Sequence, residues 1–114
     1  MPEPDAGGRE ALPPGLPGAS GRRSAAVPTV QVDNDRVRVT EWRFAPGAAT
    51  GWHRHDLDCV VIPLTTGRLE MRAADGETAA ELVAGRAYYR RRGVEHDVIN
   101  ANAHEFVFVE VEIR

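Results

Sequence analysis

The stretch GAATGWHRHDLDCVVIPLTTG, from Gly47 to Gly67, places two histidines one residue apart and follows them with two aspartates and a cysteine. Residues two apart in an extended strand share a face, so His53 and His55 are expected to project side by side. One strand can deliver two imidazoles to one metal ion in this way. The alternative is a pair of hydrogen-bonded core histidines, but burying two adjacent imidazoles without a shared ion is costly.

A third histidine lies in the stretch GVEHDVIN, from Gly93 to Asn100. In a strand, His96 would share a face with two valines and so point into an apolar interior. The three histidines could therefore converge inside a barrel, and neutral imidazole suits iron, zinc, copper and nickel. His104 lies outside this pattern and is expected to be an ordinary surface residue.

Together the two stretches resemble the paired motifs of the cupin superfamily, and in particular small single-domain bacterial cupins of the Cupin_2 type associated with β-alanine degradation. The first motif is matched by Gly47, His53, His55 and Gly67. The second is matched by Gly85, Gly93, His96 and Asn100, with Arg91 where proline is usual. The resemblance implies an all-β jelly-roll barrel, also called a double-stranded β-helix, and a homodimer, since cupins are commonly dimers.

The glutamate of the first cupin motif has no counterpart here. Counting back from Gly67 puts its position at Val60, or at Cys59 if the turn carries one extra residue. A Cys59 thiolate would favour zinc or low-valent copper, whereas an Asp58 carboxylate would complete a set suited to non-haem iron. Of the two we slightly favour Asp58, although a turn role for Asp58 and a buried apolar role for Cys59 are the more ordinary alternatives. The prediction is a three-histidine site for one divalent ion (Fe, Zn, Mn or Ni), with Asp58 and Cys59 as candidate fourth ligands.

Three further residues are expected near this site. Asn100 should fix nearby backbone or a ligand's second nitrogen through a hydrogen bond. Tyr88 and Tyr89 point to opposite faces of their strand, so one of them can line the cavity while the other packs outside.

From Thr29 onward, short β-branched runs alternate with turn residues, which predicts an all-β sandwich or barrel. The last run, Glu105 to Ile113, alternates strictly between two faces. We expect its valine face, from Val107 to Ile113, to point into the core. Phe106 and Phe108 would then need cover from a second subunit or from the chain entering at Thr29.

Residues 1–28 hold six of the eight prolines and few bulky apolar side chains, so they are predicted to form a disordered tail before one barrel domain over residues 29–114.

A net charge of −3 argues against a nucleic-acid partner, and the basic run Arg90–Arg92 is expected at a rim or turn. One cysteine forms no internal disulfide, and no apolar stretch suggests a leader or a membrane span. The cytoplasm is the expected location.

Three functions remain open from the sequence. The leading hypothesis is a metal-dependent, dioxygenase-like oxidoreductase acting on a small molecule, because three histidines leave coordination positions for substrate and O₂. The alternatives are a non-catalytic small-molecule or metal-binding module with a regulatory role, and a metal-dependent isomerase or lyase.

Overall fold

The computed structural model describes residues 23–114 and folds them into β-strands joined by turns and loops. The nine strands are β1 (Val27–Asp33), β2 (Val37–Phe44), β3 (His53–Arg54), β4 (Asp58–Pro63), β5 (Gly67–Ala73), β6 (Gly76–Leu82), β7 (Tyr88–Arg90), β8 (Glu95–Asn100) and β9 (Phe106–Ile113). No helix in the described part of the chain is long and apolar enough to cross a membrane.

The strands form two antiparallel sheets that share one core. The larger sheet has the order β1-β2-β9-β4-β7 and the smaller has the order β3-β8-β5-β6. Side chains from both sheets meet between them, including Trp42, Phe44 and Phe106 from the first and Leu69 and Val98 from the second. This arrangement confirms the predicted all-β jelly roll.

The orientation predicted for the last strand is wrong. Phe106, Phe108, Glu110 and Glu112 face the interior and are buried, whereas the exposure of the alternate residues increases toward Ile113. The phenylalanines fill the barrel directly, so neither a second subunit nor the entering chain is needed to cover them. The buried glutamates have partners, since Glu112 Oε1 accepts a hydrogen bond from Arg38 Nε at 2.8 Å.

The chain becomes regular slightly before the predicted boundary at Thr29. Ala26 is buried in the core, and strand β1 begins at Val27. The rest of the predicted tail falls on residues 1–22, which lie outside the described residues. Strand β1 pairs with β2 at the edge of the larger sheet and is exposed along its whole length.

The outer face of the larger sheet carries the apolar side chains that the reversed orientation of β9 leaves outside. The sheet register places Val32, Val39, Val111 and Val60 in one row across four neighbouring strands. Such a face could take part in an isologous contact between two copies of the chain. The homodimer stays a prediction, and the structure moves its expected contact from the phenylalanines to these valines.

Candidate metal centre

Strand pairing brings the first and third of the predicted histidines together. His53 of β3 lies directly opposite His96 of β8 in the antiparallel register. His55 follows β3, and its backbone N–H donates to the carbonyl oxygen of Val94 at 2.8 Å. The carbonyl oxygen of His55 accepts in turn from Gly93 N–H at 2.6 Å, where a φ of 94° requires the left-handed conformation that glycine allows.

The three imidazoles meet through their Nε2 atoms. His55 Nε2 lies 3.1 Å from His53 Nε2 and 3.0 Å from His96 Nε2. The three rings are inclined edge to face with centroids 4.8–5.0 Å apart, and all three side chains are buried. The histidines thus form a compact inward-facing cluster that could hold a metal ion.

These spacings fit one ion between three nitrogens. Metal–nitrogen bonds of about 2.0–2.1 Å at angles of about 90–110° give nitrogen–nitrogen distances of about 2.9–3.4 Å. Both Nε2 spacings fall within that range. Neutral Nε2 atoms that carry lone pairs repel one another at this distance, and a cation at the centre would remove that cost.

The local backbone fixes how His53 presents its ring. His53 Nδ1 lies 2.9 Å from the carbonyl oxygen of Gly51, so Nδ1 carries the proton and donates it there. Gly51 adopts a φ of 91°, and its own N–H donates to Asp97 Oδ1 at 3.1 Å. This leaves His53 Nε2 as a lone pair directed at the cluster, which is the tautomer that a metal ligand needs.

Burial keeps the histidines uncharged. It lowers the pKa of His53, and it lowers the pKa of His55 to about 3 and that of His96 to about 2 from an ordinary value of 6.5. The neighbouring imidazole of His53 and the positive charge of Arg90 lower the last two further. Since metal binding requires deprotonated ligands, all three are ready to bind at neutral pH.

Glu110, on strand β9, also lies at this centre and was not among the predicted site residues. Its Oε2 lies 3.5 Å from His55 Nδ1, on the side of the ring away from the Nε2 cluster. That distance is long for a hydrogen bond, so the contact is mainly electrostatic. Burial and the nearby charge of Glu112 raise the pKa of Glu110 to about 7. The signal that could have revealed it is the face shared by two phenylalanines and two glutamates, because bulky aromatic side chains mark the core face.

Cys59 and Asp58, the two candidate fourth ligands, point in opposite directions. Cys59 is fully buried, and its thiol donates to Glu110 Oε2 across 3.8 Å. Asp58 faces outward, where it accepts hydrogen bonds from the Tyr89 hydroxyl and the Arg92 backbone N–H. Strand alternation in β4 therefore keeps Asp58 away from the histidines, and the slight preference for it over Cys59 is corrected.

Cys59 is expected to resist alkylation in the folded, metal-free protein. Burial, together with the negative charge of Glu110, raises the pKa of its thiol to about 12, and the reactive species is the thiolate. Iodoacetamide at about pH 8 should label the native protein far more slowly than the unfolded protein, as mass spectrometry can follow. Equal labelling rates in the two states would show that Cys59 is accessible.

The remaining predicted residues divide between the interior and the surface. Tyr88 lines the cavity beside the histidines, whereas Tyr89 lies on the outer face. Asn100 is buried and donates to the carbonyl oxygens of Phe44, Ala45 and His104. Asn100 therefore fixes neighbouring loops rather than an imidazole ring. His104 itself is exposed, as expected.

The cavity at the centre is small. It measures about 20 Å³ and is lined by the three histidines together with Thr50, Met71, Tyr88, Arg90, Glu110 and apolar side chains. One water molecule needs about 10–15 Å³ on this measure, so the space matches a single ion or water. A larger molecule does not fit inside this cavity, so it could approach the histidines only from a position outside the cavity.

Comparison with known proteins is consistent with this architecture. The Cupin_2 family model, described as a cupin domain, matches residues 40–112. The β-alanine degradation protein BauB of Pseudomonas aeruginosa is 65% identical over 92 residues, which cover 81% of this chain and 97% of that protein. The crystal structure of a cupin domain from Bordetella pertussis is 55% identical with a TM-score of 0.81, covering 82% of this chain and 98% of that one. A Klebsiella pneumoniae protein with a double-stranded β-helix domain shares the fold at 21% identity and a TM-score of 0.64, covering 77% of this chain and 76% of that one.

Proposed function

The chain belongs to the cupin domain family, and from this premise we propose that it is a metal-dependent oxidoreductase of the dioxygenase type that acts on a small molecule. The observation that carries the proposal is the convergence of three neutral imidazoles through Nε2 atoms 3.0 and 3.1 Å apart. His53, His55 and His96 would hold one divalent ion. Iron, zinc, manganese and nickel remain the candidate metals.

Three histidine ligands leave coordination positions open on an ion that takes four to six ligands. A redox-active ion held there would supply a site at which substrate and O₂ meet. A dioxygenase transfers both oxygen atoms to its substrate, so the overall reaction balances without a separate electron donor.

The protein groups around the site support proton transfer and orientation. Glu110 lines the cavity, and its raised pKa of about 7 lets the carboxyl group gain or lose a proton near neutral pH. Its charge faces His55 Nδ1 and favours the ring orientation in which Nε2 points inward. Leu69, Val98 and Phe108 contribute apolar side chains to the cavity wall.

A second candidate function is non-catalytic metal binding with a regulatory role. The observation that favours it is the volume of the central cavity, about 20 Å³, which matches an ion and leaves no space for a substrate beside it. Isomerase or lyase chemistry would also require the substrate to reach the ion. It differs from oxidation because it consumes no oxygen.

One experiment separates these functions. Protein purified without a histidine tag is analysed for metal and then supplied with β-alanine and short aliphatic acids while oxygen uptake and substrate loss are followed together. We expect stoichiometric metal and one O₂ consumed for each substrate lost. Stoichiometric metal without turnover would favour the binding role, and substrate loss without oxygen uptake would favour an isomerase or lyase.

We also propose the setting in which this activity takes place. The Pseudomonas aeruginosa relative is named for β-alanine degradation, which suggests that this protein acts in the breakdown of a small molecule. The cytoplasmic location and the absence of nucleic-acid or membrane partners stay predictions. The proposed homodimer is tested by the mass of the protein in solution, for which a strictly monomeric species would be contrary evidence.

A further inference from the structure

A second, larger pocket adjoins the metal cavity and shares part of its wall. It measures about 430 Å³, within the range of about 300–1,000 Å³ that is typical of small-molecule sites. Met71, Tyr88 and Arg90 line both spaces. These three side chains therefore form the partition between the outer pocket and the histidines.

Arg90 is the charged member of this partition and is half-buried. Its guanidinium carbon lies 5.5 Å from the centre of the Tyr88 ring, and its Nη2 lies 3.6 Å from the sulfur of Met71. Among residues 23–114, no carboxylate forms an ion pair with it. A cation that faces two cavities with donors not used by an acidic group is suited to bind an anion.

We propose that the outer pocket binds a small aliphatic carboxylate, with the carboxylate held by Arg90 and the reactive end directed past Met71 toward the three histidines. This inference rests on the proposed function, because it takes the histidine cluster as the place of reaction. It assigns to Arg90 the role of recognising the substrate class.

The chemistry of the pocket selects a carboxylate over other anions. A planar guanidinium matches the two oxygens of one carboxylate in a bidentate pair. Tyr88 can donate a further hydrogen bond, since burial raises the pKa of its phenol and keeps the proton on it. Arg86 adds a second positive charge to the lining of this pocket, and Glu81 places an acidic group there. The resulting single net positive charge suits a carboxylate monoanion better than a phosphate dianion.

The walls of the outer pocket indicate a short apolar body for the ligand. Ala80, Leu82, Val83 and Ala87 contribute only aliphatic surface. Met71, an unbranched and flexible side chain, stands between this surface and the histidines and can move aside at small cost. The central cavity is too small for the whole molecule, so only its end would reach the ion.

The test measures binding of propionate, its neutral isostere propionamide, and inorganic phosphate by isothermal titration calorimetry at fixed ionic strength. We expect wild-type protein to bind propionate at least roughly tenfold more tightly than propionamide. Arg90→Gln should remove this preference, and Arg90→Lys should retain part of it because the charge remains while the bidentate geometry is lost. Equal binding of propionate and propionamide by wild-type protein, or tighter binding of phosphate than of propionate, would overturn the proposal.

Arg91→Gln is the matched control, since it makes the same charge change one residue away. Arg91 lines a surface hollow with Asp58 and Tyr89 instead of the shared partition. The propionate affinity of the Arg91→Gln protein should stay within about twofold of that of the wild-type protein. An equal loss in both variants would show that general charge, and not the position of Arg90, accounts for binding.

The same titration on a His96→Ala variant separates this inference from the proposed function. Arg90-dependent binding of propionate in a protein that holds no metal would support the carboxylate pocket even if no oxidation is found. Binding that needs the metal and is indifferent to Arg90→Gln would place the carboxylate on the ion and overturn the role of Arg90. Metal content and oxygen uptake, measured separately, report only on the proposed function.

Discussion

Replacing His96 with alanine is expected to remove the metal from the purified protein. His96 supplies one of three converging Nε2 atoms, 3.0 Å from that of His55, and the two remaining imidazoles would hold an ion far less tightly. We expect metal affinity to fall by at least about 100-fold, more than is typical when only a supporting group around a ligand is lost. The measurement is the ratio of metal to protein after dialysis against a weak chelator.

His104→Ala is the control for this variant, because it removes an exposed histidine whose Nδ1 lies 2.9 Å from the backbone oxygen of Glu105. It should retain the metal content of wild type. His96→Gln, which fills more of the space, guards against a trivial loss of fold in the alanine variant. A folded His96→Gln protein with full metal content would show that the ion lies elsewhere.

The histidine cluster could be predicted because two kinds of sequence information agreed. The alternation of a strand placed His53 and His55 on one face, and that rule is local. The contribution of His96 depends on a long-range pairing of β3 with β8, which no local pattern contains. Only the resemblance to the cupin motifs related the two segments before the structure did.

Glu110 was not predicted as a site residue, because both faces of strand β9 begin with apolar residues. Valine and phenylalanine alternate at its start, and the valine face was expected to point into the core, which would leave the two glutamates on the opposite face. In the structure they are buried because partners exist across the sheet, Arg38 for Glu112 and Trp42 for Glu110. Such partners become visible only with the register of β2 against β9.

The arginine run shows the same limit on a smaller scale. Arg90, Arg91 and Arg92 were expected together at a rim or turn, yet Arg90 shares the inner face of β7 with Tyr88. Strand β7 ends at Arg90, and Arg91 and Arg92, which follow it, are exposed. From composition alone the three arginines form one basic patch. Strand alternation instead turns Arg90 toward the cavity and its neighbour Arg91 away from it.

Replacing Glu110 with glutamine is expected to stabilise the metal-free protein while weakening metal binding. The pKa of Glu110 rises from 4.5 in the unfolded chain to about 7 in the fold, mainly through burial. Between these two values the native state holds a proton that the unfolded state has released, so stability falls as pH rises through this range. Above it the buried charge costs on the order of 3 kcal/mol, at about 1.4 kcal/mol for each pKa unit.

Glutamine keeps the shape of Glu110 and can accept from Trp42 Nε1, but it carries no charge to bury or to set against His55 Nδ1. At about pH 8 the metal-free variant should therefore unfold at higher denaturant than wild type, and the difference should vanish at about pH 4. Its metal affinity should drop by about 10–100-fold, because the carboxylate no longer orients the His55 ring. A metal-free variant that is less stable than wild type at about pH 8 would show that the charged carboxylate stabilises the fold. Unchanged metal affinity would show that Glu110 does not support His55.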